Sequence, residues 1–441
     1  MGCTREYTVH PLIRPPVTLT SACPFPRITA APRLAIACCA LGASAALSVP
    51  ARVNAQVAAP RAPAAAPRVQ TAGDVRRLAR GVTYRQQRLA KGPWRLHVVR
   101  VELAIAAVQL QAARARDSLR GRERTTAMVR RATDKGQQVL VAVNADFFDL
   151  RTGENENNQV IDGEWWKGLK VTESPYDTYD NVHVQFATDA AGRPLIERFI
   201  LDGKAWSRGV VTPIITVNAN PSGTPEGTAL FTPRFGETTP RDSTRPSAEA
   251  TLIGAGRRGD TLLFVRRGVA VESSGSVIPA DGAVLAAYGA RTKEVLATAD
   301  GDTVRVLLST VPAMARGGRP RMIIGGWPRL LQHGVNVARE AATTEGTISR
   351  NAEVRHPRTA IGISRDGRTL WIIAVDGRST SSVGMTLVEL ADQLRTLGAW
   401  NAMNFDGGGS TTMVIDGKVV NAPTDPTGER EVGNALLIVR K

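Results

Sequence analysis

The clearest apolar and polar patterning lies in the last hundred residues. "TAIGISRDGRTLWIIAVDG" alternates on both sides of Asp366-Gly367, which predicts a hairpin with its turn at that pair. "TLVELADQLRTLG" carries Leu387, Leu390, Ala391, Leu394 and Leu397 at helical spacing. Thr386 is placed as its N-cap, Glu389 completes a capping box, and Gly398 is the stop. The box accounts for Glu389 without a catalytic role. "AMNF" and "TTMVI" read as short strands on either side of three glycines. Asp416-Gly417 is a second tight turn, and "ALLIV" closes the sheet.

Upstream, "GVTYRQQRL" from Gly81 and "WRLHVVRVEL" are strand-like, Arg124–Ala132 has helical spacing, and Val139–Val143 reads as a buried strand. Residues 151–330 are short alternating runs between Gly, Pro and Asp turns, which predicts antiparallel β structure. Residues 219–250 are rich in turn formers and predict a long exposed loop. The expected fold class is α+β, a mixed and largely antiparallel sheet with few helices, forming a single domain over 79–441. Before it stand two segments of another kind. "LAIACCALGASAAL" followed by "VPARVNAQ" reads as a secretory signal with cleavage after Ala55, so residues 1–55 are assigned as a signal peptide. Residues 56–78 are an Ala/Pro-rich linker. The expected product is secreted or periplasmic.

Composition changes this picture in two places. The four cysteines, Cys3, Cys23, Cys38 and Cys39, all precede the cleavage point, so the mature chain folds without disulfides and has no thiol nucleophile. The formal charge is +16, but only eight of the 56 basic residues are Lys, and the Arg are scattered without interleaved aromatics. That pattern argues against nucleic acid and leaves an anionic substrate compatible with the charge. No stretch of eighteen apolar residues predicts membrane insertion.

The chemistry concentrates where strands end. A strand to Val375, the helix and a strand to Phe405 form a β-α-β unit, and if its strands are parallel both deliver their following residue to one sheet edge. Asp376 and Asp406 would then lie ~5 Å apart on neighbouring strands, or ~10 Å with one strand between. The strand ending at Val143 could bring Asn144 and Asp146 to the same edge. Gly407, Gly408 and Gly409 can take positive φ and form an anion nest, with Ser410, Thr411 and Thr412 as hydroxyl donors. The bland alternative is a tight connection between strands. Arg358 and Arg378 are candidate phosphate clamps, against a reading as surface arginines. His356 and His333 are isolated and read as loop residues. The absence of HExxH, paired His or an Asp-rich loop argues against a metal site, and no cofactor is expected.

"HPRTAIGIS", "VDGRS", "MTLVELADQLRTLGAWNAMNFDGGGSTTMVIDGKVVNAP" and "GEREVGNALLIV" resemble, in order and spacing, the phosphodiester glycosidase family. "VNADFFD" is similar to the family's "NGGFF" segment, with Ala145-Asp146 in place of two glycines. "IIGGWPRLLQHG" is similar to its Gly-Gly-x-Pro segment, and "GVTYR" to its start. The resemblance implies hydrolysis of a sugar–phosphate diester at the anomeric carbon, with the oxygen left on phosphate. It implies Asp406 as leading catalytic carboxylate and Asp376 as second. Gly407 to Gly409, Ser410, Thr411, Arg358 and Arg378 would hold the phosphate, and Asn144 and Asp146 the sugar. The expected partner is a phosphorylated glycan or sugar-phosphodiester substrate; the oligomeric state is left open. Two further readings stay open: a non-catalytic exported polysaccharide-binding module, and a metal-assisted phosphodiesterase.

Overall fold

The computed structural model describes residues 74–170, 183–221, 226–272, 274–314, 318–340, 344–345 and 352–441. They all fall in the compact unit 65–441. The signal peptide and the linker up to residue 73 lie outside the described residues. The boundary predicted at 79 moves upstream, because Val75–Ala79 is already a strand paired with Val82–Leu89.

Strand pairing is antiparallel throughout the described residues except for one ladder, Thr216–Val217 against Gly227–Phe231. That strand also interrupts the long loop predicted over 219–250. Three large sheets result. The first has eight strands, in the order Val75–Ala79, Val82–Leu89, Trp94–Glu102, Thr369–Val375, Arg358–Ile363, Asn401–Asn404, Arg329–Gln332 and Val335–Asn336. The second has thirteen strands drawn from 159–325. The third has five, with Val139–Asn144 and Asn434–Arg440 adjacent in its centre. The "ALLIV" strand is therefore internal, flanked by Val139–Asn144 and Val108–Arg114.

Both faces of the eight-stranded sheet are covered, which explains the unbroken apolar run "LWIIAV". Leu370, Ile372 and Ala374 pack toward Val141, Val143, Met413 and Leu436 of the five-stranded sheet. Trp371, Ile373 and Val375 face the other way, onto Leu387, Leu390, Ala391 and Leu394 of the helix Leu387–Leu397. That helix has the predicted ends. Thr386 accepts from the Glu389 N–H, Glu389 accepts from the Thr386 N–H, and Gly398 closes it at φ +103°. Glu389 also pairs with Arg355 across the helix start. The Asp366-Gly367 and Asp416-Gly417 turns stand where the alternation put them. No described helix is long and apolar enough to cross a membrane.

Strands Thr369–Val375 and Asn401–Asn404 each pair antiparallel with Arg358–Ile363, which lies between them. They are therefore parallel to each other, and the helix is the crossover. Of the two spacings the sequence allowed, the fold takes the wider one. Arg358 pairs with Val375 and Ala360 with Asn404, so Arg358 starts its strand between the ends that lead to Asp376 and Asp406.

Candidate active site

Above this edge lies a cavity of about 240 Å³ lined by Phe147, Trp327, Pro328, His356, Arg358, Arg378, Leu387, Asn404, Asp406, Gly407, Gly408, Gly409 and Arg430. Asp406 is the carboxylate in this lining. Its main chain is tied on two sides: its N–H donates to Ala145 O at 2.7 Å, and its carbonyl accepts from Asn144 Nδ2 at 2.6 Å. Those bonds join the eight-stranded sheet to the end of Val139–Asn144 in the five-stranded sheet. The Asp406 carboxylate accepts from the Ser410 hydroxyl and the Gly407 N–H, and Arg430 lies near it. Burial outweighs these contacts and, with the buried Asp146 nearby, pushes its pKa up to about 6.

The three glycines have three different reasons. A Cβ on Gly407 would stand 2.8 Å from Pro357 O, Gly408 takes φ +59°, and a Cβ on Gly409 would overlap the Arg430 guanidinium. The nest predicted from them does not form as such. Of these glycines only Gly408 has positive φ, and the N–H groups of Gly408, Ser410 and Thr411 donate to Pro357, Gly407 and Gly408 carbonyls. With the Gly407 N–H on Asp406, the loop positions a carboxylate and admits an arginine. Ser410 and Thr411 are fully buried and stand behind the lining.

Positive charge comes from side chains instead. Arg378 donates to Thr424 Oγ1 at 3.3 Å, and Arg430 donates to Asp425 Oδ2 at 2.6 Å and to Ser410 Oγ at 3.3 Å. Arg358 is buried in the wall, its Nε on Met385 O and its Nη2 on Val354 O, and burial lowers its pKa to about 10. His356 is held below the usual imidazole range by burial and by Arg358 and Arg378, so it is neutral at pH 7. Phe147 and Trp327 give the lining an aromatic part. Trp327 is stacked on His183 at 4.7 Å, meets Phe147 edge-on at 5.6 Å, and its Nε1 donates to Glu345 O at 3.0 Å.

Several predicted roles change with this geometry. Asn144 holds main chain and the Thr359 hydroxyl and does not face the cavity, being 1% exposed. Asp146 is equally buried, and its carboxylate accepts from Asn155 Nδ2, the Asn157 N–H and Asn157 Nδ2. Both support the site from below and have no surface to offer a sugar. Asp376 reaches the predicted edge but not the cavity lining. Its Oδ2 meets His97 Nε2 at 3.3 Å and Arg95 at 3.9 Å, and its Oδ1 accepts the Ala422 N–H at 2.8 Å. It clamps the chain leading to Thr424, the partner of Arg378. Asp376→Asn is therefore expected to cost on the order of 2 kcal/mol in stability and to raise KM, with the pH profile unmoved. Thermal melts and steady-state kinetics check this; a collapse of kcat at unchanged KM would return Asp376 to a catalytic role. Arg430, Trp327 and Phe147 were not predicted, and His356 was set aside. "GEREV" gave no local sign that its Arg reaches the glycines 21 residues earlier.

Residues 264–439 match the model of the phosphodiester glycosidase family. That match covers less than half of the chain. Every cavity-lining residue except Phe147 falls inside the family segment. The chain is 40% identical over 80 residues to the mouse N-acetylglucosamine-1-phosphodiester alpha-N-acetylglucosaminidase, covering 18% of this chain and 15% of that one. It is 30% identical over 161 residues to the human protein of that name, covering 35% and 31%. A prophage-derived uncharacterised protein of Bacillus subtilis is 42% identical over 96 residues, 22% of this chain and 15% of that one. The chain thus spans less than a third of the length of each of these relatives. Among solved structures, a hypothetical protein from Synechocystis superposes with TM-score 0.64 at 21% identity, covering 82% of this chain and 62% of that one. A protein of Burkholderia pseudomallei K96243 described as exported gives 0.59 at 23%, covering 79% and 74%. These two share the fold.

Proposed function

We propose that the protein is an exported hydrolase that cleaves the anomeric C–O bond of a sugar 1-phosphodiester in a glycan or cell-envelope polymer. The observation that carries this reading is one carboxylate, Asp406, lining a single small cavity together with Arg358, Arg378, Arg430, Phe147 and Trp327. A cavity of about 240 Å³ is below the ~300–1,000 Å³ of sites for drug-sized ligands, which suits one sugar with its phosphate. The sugar's C–H face packs on Phe147 and Trp327, and the phosphate lies toward Arg378 and Arg430. Asp406 acts at the anomeric carbon, as nucleophile or as base for water. The C1–O bond breaks with its electrons passing to the phosphate oxygen. The leaving monoester has a second pKa near ~6, so it departs without a strong general acid. Neutral His356 adds a donor without a further charge. Export is supported by the signal-like N-terminus and by the description of the Burkholderia relative in fold.

The test is product analysis on a panel of sugar 1-phosphate methyl diesters. Free sugar and methyl phosphate are expected. Sugar 1-phosphate with methanol would mean P–O cleavage, and binding without turnover would make the chain a polysaccharide-binding module. The pH profile supplies a second check. An Asp406 that must be ionised, with its pKa at about 6, gives a kcat/KM that rises with unit slope up to pH 6 and is flat above it. A fall above pH 6 would instead assign Asp406 the role of acid.

A further inference from the structure

Away from the cavity, the outer face of the thirteen-stranded sheet combines apolar and cationic positions in a way that core packing does not explain. Four adjacent strands carry it: Thr261–Val271, Thr303–Val311, Ile200–Ser207 and Val210–Ile214. Their inward residues, among them Phe264, Val304, Val306, Leu201, Ala205 and Ile214, fill one hydrophobic cluster. Alternation sends the others to solvent. The registers set Val211, Trp206, Arg305 and Leu263 in one cross-strand row. Lys204, Leu307, Thr261 and Arg258 form the row beside it. Lys204, Arg305 and Arg258 are exposed, Val211 is 60% exposed, and Trp206, Leu263 and Leu307 are half-buried.

A sheet face open to water is ordinarily polar. Here an indole and aliphatic side chains alternate with cations across strands spaced ~4.8 Å apart, and one carboxylate, Asp202, pairs with Lys204 at 3.3 Å, leaving the face net positive. We infer that this face is a second, non-catalytic binding surface for an anionic polysaccharide. The apolar positions suit the C–H faces of sugar rings, and the cations suit carboxylate or phosphate substituents. The charge argues against a second copy of the chain, since a two-fold contact would set Arg305 and Lys204 against their own kind. Stacking of a nucleic-acid strand uses several aromatic rings, and this face has one. The surface shares no residue with the cavity lining, so its test is independent of the cavity's chemistry.

The experiment is affinity electrophoresis of the full chain through gels containing sodium polygalacturonate, against gels containing neutral dextran. The native protein is expected to be retarded by polygalacturonate alone. Lys204→Glu/Arg305→Glu and Trp206→Ala should each weaken that retardation at least tenfold. The charge-matched control Arg77→Glu/Arg80→Glu, on an exposed edge elsewhere, should keep it. Thermal midpoints are read alongside. If Trp206→Ala fails to fold, the Glu pair, at exposed positions, decides the outcome. Equal loss in the charge-matched control would reduce the effect to net charge and overturn the inference. So would native protein that is not retarded, or that binds duplex DNA or anionic vesicles but not polygalacturonate.

Discussion

Asp406→Asn is expected to reduce turnover on the order of 10⁴-fold or more while leaving the protein folded and somewhat more stable at neutral pH. The first half follows from position. Asp406 is the carboxylate in the cavity lining, and the Asn that replaces it can neither attack the anomeric carbon nor take a proton from water. The second half follows from the sign of its pKa shift. Folding raises the group from 3.8 to about 6, so the folded state binds the proton more tightly than the unfolded chain does. The ionised form is therefore a burden on the fold at every pH above about 6, and the burden disappears as pH falls toward 4. Replacing the carboxylate by an amide removes it. Full conversion of the shift gives about 3 kcal/mol, and access of solvent through the cavity reduces this to roughly 1–2 kcal/mol. The amide oxygen can still accept from Ser410 and Gly407.

Kinetics and paired melts at pH 8 and pH 4.5 check both halves. A variant stabilised at pH 8, with the gain cut to about a third at pH 4.5, and without turnover carries the signature of a residue kept for chemistry at the expense of the fold. A variant that loses activity only because it melts early would make Asp406 a structural residue. Near-normal turnover would remove it from the mechanism.

Asp406 was legible in the sequence because its surroundings are local: a strand before it, glycines after it and a capped helix that fixes the crossover. The purpose of each glycine was not, since Pro357 and Arg430 set two of them through contacts 50 and 21 residues distant. The same limit misled the reading of Asp376. Strand ends on one edge were predicted correctly, but the sequence could not show that Arg358–Ile363 lies between the two aspartates. Nor could it show that His97, Arg95 and the Ala422 N–H claim the Asp376 carboxylate. Asn144 and Asp146 come close to Asp406 as expected, yet through a main-chain bridge between two sheets that turns them into supports. The open face around Trp206 was invisible for a simpler reason. Alternation in each strand was readable, but the cross-strand rows depend on registers between segments up to a hundred residues apart.

Arg430 carries the second large expectation, because the proposed reaction gives it the phosphate as well as the carboxylate. Its Nε is fixed by Asp425, whose own pKa is held at about 2 by Thr427 and by Arg430 itself. Its Nη1 reaches Ser410, which in turn holds Asp406. Arg430→Ala should therefore lower kcat/KM by roughly 10²–10³-fold, the loss typical of one preorganised donor to developing negative charge. It should also move the acid limb of the pH profile upward from about 6, since Arg430 is one of the groups that hold Asp406 down. Arg430→Lys separates the two roles. The ammonium keeps a positive charge near Asp406, so the limb stays near its native position. It cannot reproduce a planar fork shared between Asp425, Ser410 and a phosphate, so KM rises. Full pH–rate profiles of the two variants check this. A limb that moves downward in Arg430→Ala, or a kcat/KM within twofold of native, would show that the guanidinium beside the glycines only braces the loop, and phosphate recognition would pass to Arg378.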